Sequence, residues 1–207
     1  MTVSHESFLQ NVKDHTMIIE NDNGVFRSVF FGVPGKSNQH FRLVTWPGHL
    51  AISGDMGDFI FARSQDMFEF FRSDCGSINP GYWGEKLQAI SKFGGHKEFD
   101  WDTFIEKLTN TLHASNDQER GDIENTVTDL CRYMENDEFS AVELARNWDS
   151  DDTGLELDAC DLGSSDKLTY QYIWCLYAIV WGINKYDASS KGKAADLALR
   201  IANLLPA

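Results

Sequence analysis

Residues 41–62 read FRLVTWPGHLAISGDMGDFIFA, and this stretch decides the fold. Phe41 to Trp46, Leu50 to Ser53 and Phe59 to Ala62 are short runs of β-branched and aromatic residues separated by turn residues. Such side chains suit a pleated, half-buried surface, and Gly54-Asp55-Met56-Gly57 tolerates the positive φ of a tight loop. Three antiparallel strands follow. Toward the N-terminus the same pattern continues through Val25 to Phe31 and Met17 to Ile19, with Asn21-Asp22-Asn23-Gly24 as a hairpin loop and Gly32 to Asn38 as a longer connection. The whole reads as a β-meander, preceded by a helix that Ser4 can cap and that carries Phe8, Leu9 and Val12 on one face.

Beyond Ser64 the apolar period lengthens to that of a helix. Met67, Phe68 and Phe71 form a short face, and Trp83, Leu87 and Ile90 follow Pro80, which suits a first helical turn. Trp101, Phe104, Ile105, Leu108 and Leu112 make an amphipathic stripe with Asp100 as its cap, and Ile123, Val127, Leu130, Cys131 and Met134 repeat the design. Ser140 and Glu143 have capping-box spacing ahead of a helix through Trp148; Leu168 to Tyr186 and Ala194 to Leu205 read as a closing pair. Strands followed by helices, rather than alternating with them, predict an α+β fold: an N-terminal antiparallel meander packed against a mostly helical C-terminal half. Residues 1–207 are expected to form a single domain, sheet-rich over 1–63 and helical over 64–207.

The chain has 207 residues, 42% apolar and 24% charged, with 4 Pro and 16 Gly, which excludes collagenous and wholly disordered classes. Its 18 Lys and Arg face 32 Asp and Glu, a net charge of −14 that disfavours direct contact with nucleic-acid phosphates or an anionic membrane. Basic partners are expected instead. The first fifteen residues carry Glu6 and Asp14 and do not resemble a secretory signal, and Tyr170 to Ile183 is too short for a membrane span. Cys75, Cys131, Cys160 and Cys175 form no C-x-x-C pair, so reduced, buried thiols in a cytoplasmic protein are expected.

Charge is distributed unevenly. Between Glu135 and Asp166 lie eleven carboxylates against Arg146 alone, a net −10 within this window. Such a row can present fixed negative charge to a basic surface, as phosphates would, and steer association over a Debye length of ~10 Å. The residues singled out as a partner-binding surface are Asp149, Asp151, Asp152, Glu156, Asp158, Asp161 and Asp166. The alternative is a solvated helix end and loop that serve solubility.

Other chemistry is weaker. Asp149 to Gly154 opens like an EF-hand loop, but the twelfth position is Cys160 where a bidentate Glu belongs. The six histidines, His5, His15, His40, His49, His96 and His113, have no metal-binding spacing, and no glycine pattern cradles phosphate, so neither metal nor nucleotide cofactor is expected. His49, Ser53 and Asp55 around one hairpin offer a base, a nucleophile and an orienting acid, a small-hydrolase alternative to the binding reading. Tyr170, Tyr172, Trp174, Tyr177 and Trp181 cover more than one helical stripe, as core or a homodimer contact would.

Three stretches carry a resemblance: Phe41 to Leu50; Ser53 to Gly57 with Asp66 to Phe71; and Ile173 to Ile183. They resemble a family of phage and prophage proteins that also share an Asn-Pro-Gly-Tyr-Trp segment like Asn79 to Trp83. The likeness spans roughly residues 40–105 and 168–187, leaving the acidic stretch outside, and it transfers no catalytic residue. It implies a phage-encoded protein acting in the host cytoplasm. Small acidic phage proteins include anti-CRISPR and anti-restriction inhibitors, some of which imitate DNA. The expectation is therefore a non-enzymatic inhibitor of a host defence complex; an oligomeric accessory or regulatory protein is the other alternative.

Overall fold

A computed structural model describes residues 3–189 apart from 74 and 93, together with 193, 194 and 197. Its contacts group the chain into two compact units, one of residues 1–96 with 168–207 and the other of residues 97–167. This grouping runs differently from the change of secondary structure near residue 63, because the chain leaves the first unit and returns to it.

In the first unit, Thr16–Asn23 (β1), Phe26–Gly32 (β2), Phe41–Trp46 (β3), His49–Gly54 (β4), Phe59–Ala62 (β5) and Leu87–Ala89 (β6) form one sheet in sequence order, each neighbouring pair antiparallel. The expected meander is present. Alternation aims Val29 and Phe31, Phe41 and Leu43, Leu50 and Ile52, and Phe59 and Phe61 to one face, where all eight are buried. The register sets Val29 opposite Leu43 and Leu43 opposite Ile52, so the apolar rows are continuous across the strands.

Among the described residues four helices contribute to that core: His5–Val12 (α1), Met67–Phe71 (α2), Pro80–Gly84 (α3), through Trp83, and Tyr170–Ala188 (α8). Ser4 caps α1 through a reciprocal bond with Ser7, and Asp66 caps α2 by accepting from the Phe68 amide at 2.9 Å. α8 is buried on nearly every side because it packs against β3, α1 and α2. Within this unit Tyr172 and Trp174 are fully covered, and Tyr170, Tyr177 and Trp181 are half-buried.

A buried ion pair ties sheet to helix. Arg27 donates from both terminal nitrogens to the two carboxylate oxygens of Asp66, each at 2.9 Å, with 3% and 7% of the side chains exposed. The guanidinium also lies over the rings of Phe68 and Tyr186. Burial opposes its charge, but the bonds and charge of Asp66, together with Tyr186, outweigh that and hold its pKa above the ordinary guanidinium value. Burial and the hydrogen bond to Asp22 push the Tyr186 hydroxyl up to about 12.

Gly54 ends β4 where β3 begins. A Cβ there would run into the His40 carbonyl oxygen and lie 2.8 Å from Phe41 Cα, both backbone atoms of the paired strand. Gly54→Ala should therefore cost about 1–3 kcal/mol, seen as a lower denaturant midpoint. An unchanged midpoint would show that the β3–β4 pair moves apart freely.

Three readings are corrected. Leu87 does not continue a helix from Pro80: that helix, α3, stops at Gly84, and Leu87–Ala89 pairs with β5 as the sixth strand. The helix before Trp148 is not capped by Ser140, because Asp137 lies three residues earlier and its carboxylate accepts from the Ser140 amide at 2.8 Å. Not all thiols are buried: Cys175 is, Cys131 is half-buried, and Cys75 and Cys160 are exposed. Apart from residues 194 and 197, the predicted helix Ala194 to Leu205 lies outside the described residues.

The second unit has its own core. Trp101–Ser115 (α4) packs against Arg120–Cys131 (α5), Glu138–Arg146 (α6) and a 3-10 turn at Ala159–Leu162. Phe104, Leu108, Leu112, Ile123, Val127 and Ala141 meet inside. The α5 stripe is shorter than its sequence suggests: the helix ends at Cys131, and Leu130 is 37% exposed. Ser150–Thr153 (α7) follows α6, and Lys97–Phe99 (β7) pairs with Asp166–Leu168 (β8).

Candidate functional site

The division into units sharpens the charge asymmetry. Residues 97–167 hold 6 Lys and Arg against 20 Asp and Glu, a net charge of −14, whereas the rest of the chain has 12 of each sign and balances to zero. The entire net charge of the protein belongs to the second unit.

Asp149, Asp151, Asp152, Glu156, Asp158, Asp161 and Asp166 are all exposed. Two of them also build local structure. Asp149 caps α7 by accepting from the amides of Asp151 and Asp152 at 2.9 and 3.3 Å, and Asp158 caps the 3-10 turn by accepting from the Cys160 amide at 2.9 Å. Among the described residues no three His, Cys, Asp or Glu are placed to hold a metal ion. Glu156 accepts from Ser150 Oγ at 3.3 Å and Asp166 from Ser164 Oγ at 2.5 Å. The side chains of Asp151, Asp152 and Asp161 have no partner among the described residues.

The segment that carries these carboxylates is pinned. Asn116, just past α4, accepts from the Glu156 amide at 2.8 Å and donates to the Glu156 carbonyl at 2.9 Å, while Trp148 Nε1 donates to the Leu155 carbonyl at 2.9 Å. Leu155 and Leu162 anchor it in the core, at 3% and 7% exposure. A pinned backbone presents charge with less ordering cost on binding than a floppy loop would.

Beside this segment lies an open groove of about 430 Å³. Phe104, Ala141, Ala145 and Leu162 form apolar lining, and Glu138, Arg146 and Asp166 supply its charges. The unit also exposes large apolar side chains: Tyr133 is 90% exposed, Phe139 69%, and Val142, which lines the groove, 48%. Phe139 and Val142 fall off the stripe that buries Ala141, Leu144 and Ala145, so α6 is apolar beyond what its own core needs. Sequence reasoning passed over these residues. Their one signal was a helix with more apolar positions than a single buried face can use.

The hydrolase alternative gains no geometry. His49 stacks on Trp46 at 5.0 Å, and its Nδ1 is 3.1 Å from the Pro47 carbonyl oxygen. Ser53 faces Arg42 across the strand pair, and Asp55 accepts from the Gln39 amide at 2.7 Å. No hydrogen bond links His49, Ser53 and Asp55. The thiols differ among themselves: hydrogen bonding with Ser77, whose Oγ lies 3.2 Å from Sγ, lowers the Cys75 pKa, whereas burial raises those of Cys131 and Cys175. Iodoacetamide should therefore label Cys75 ahead of Cys131 and reach Cys175 only on unfolding. Peptide mass spectrometry over a time course reads this order, and native labelling of Cys175 as fast as Cys75 would contradict it.

Among the described residues no helix is long and apolar enough to cross a membrane. Comparison of the chain with family models, curated proteins and solved structures finds no match.

Proposed function

We propose that the second unit is a non-catalytic binding module that presents its acidic surface to a basic, nucleic-acid-handling protein, and that the protein acts as a phage-encoded inhibitor of a host defence complex of the CRISPR or restriction kind. The observation that carries the reading is the placement of all −14 charges within residues 97–167, with the seven singled-out carboxylates exposed on a pinned segment. A field of that sign repels nucleic acid and attracts surfaces that bind it. The phage context rests on the resemblance of residues 40–105 and 168–187.

Co-expression tests it. In hosts carrying active CRISPR or restriction systems, the protein should raise the plating efficiency of a targeted phage in at least one of them. The variant with the seven carboxylates replaced by Asn or Gln should not. Equal protection by both proteins, or none by either, would refute the reading.

A further inference from the structure

The groove in the second unit sets an apolar lining in acidic surroundings: Phe104, Ala141 and Leu162 belong to the unit's core and show only their edges to it, whereas Val142 and Ala145 face it from α6 outside that core's buried residues. Glu138 and Asp166 contribute to its wall, and Val142, 48% exposed, joins the lining to the α6 surface that carries Phe139 at 69% exposure. Binding energy at protein interfaces concentrates in apolar and aromatic anchors seated in pockets, with charges at the rim setting rate and orientation. We propose that this groove receives a basic amphipathic segment of the partner, one that packs large apolar side chains against Val142 and Ala145, over the edges of Phe104 and Leu162, and sets flanking Lys or Arg residues against Glu138 and Asp166.

Charge complementarity fixes the occupant. A unit of net charge −14 repels an acidic or phosphorylated ligand, and a neutral apolar segment would forgo the field that surrounds the groove. Arg146, in the last turn of α6, is the single cation on the lining among the described residues. It rejects a Lys or Arg at its own position and so directs the segment's cations to the carboxylates, leaving apolar side chains or carbonyl groups beside the guanidinium. This assignment rests on the binding-module reading above and adds the chemistry of the partner's contact.

Three fluorescein-labelled peptides test it: one with two Leu a helical turn apart flanked by Lys, one with the Leu replaced by Ala, and one with the Lys replaced by Gln. Fluorescence anisotropy with the full chain should show the Leu-Lys peptide binding about tenfold or more tightly than either control, since two buried Leu side chains exceed that factor. Val142→Gln with Ala145→Gln should abolish the advantage of Leu over Ala while leaving the Lys-Ala peptide unchanged. Hydrogen exchange of the wild-type protein, which needs no variant to fold, should show protection by the Leu-Lys peptide over residues 138–146 and 159–166. Equal affinity for the Leu-Lys and Lys-Ala peptides, or protection elsewhere, would overturn the groove assignment while the preference for Lys over Gln sustains the acidic-surface reading. Equal binding of the Lys and Gln peptides would overturn both.

Discussion

Asp66→Ala should destabilise the sheet-bearing unit by about 3–5 kcal/mol, the cost of leaving a buried cation without its partner. Arg27 is 3% exposed, makes two 2.9 Å bonds to Asp66 and is enclosed by Phe68 and Tyr186, so it cannot turn to water without opening the core. The substitution also removes the cap of α2, worth about 1 kcal/mol. Adding Arg27→Met should recover most of the ion-pair loss, because a buried pair is often no more stable than apolar side chains of similar volume; the cap stays lost. Denaturant unfolding combined with hydrogen exchange of β2, β3 and α8 amides measures both. A single variant within about 1 kcal/mol of wild type, or a double variant worse than the single, would contradict the account.

The second large effect is on binding. Replacing Asp149, Asp151, Asp152, Asp158, Asp161 and Asp166 by Asn and Glu156 by Gln takes the net charge from −14 to −7. Asn caps helices as well as Asp does, so the α7 and 3-10 turn caps survive and the fold should hold. Exposed pairs contribute about 0.2–1 kcal/mol each, so losing seven should weaken binding to a basic partner by about tenfold at the least, and by up to about 10⁵-fold, at low ionic strength. The difference should shrink as salt rises, because screening removes the same interactions from the wild type. A loss that is independent of salt would point to disturbed packing rather than charge.

Legibility in the sequence followed the range of the forces involved. β3 and β5 were bounded to the residue because their apolar side chains alternate between turn residues, a signal local to each strand. The Ser4 and Asp100 caps were legible for the same reason. β6 was not: Leu87–Ala89 is three residues long, and its pairing with β5 uses backbone groups that any sequence offers. The division into two units was hidden because α8 completes the core of the first unit after the second has intervened, and periodicity does not report such long-range closure. At the candidate site, composition exposed the carboxylates, but the groove depends on how α4, α6 and the 3-10 turn pack. Composition was also silent on which apolar residues stay outside, and Phe139 and Val142 became visible as unpaired surface only once α6 had been placed.

The central claim is that the acidic unit engages a basic nucleic-acid-binding protein through charge. The most direct measurement passes the DNA-binding protein fraction of a phage-sensitive bacterial host over the immobilised chain and over its seven-fold neutralised variant, at low and raised salt, with duplex DNA as competitor. The account predicts a protein held by the wild type alone, released by salt and by DNA, and blocked stoichiometrically from binding its own duplex. The same proteins held by both chains, or retention indifferent to salt and DNA, would contradict it.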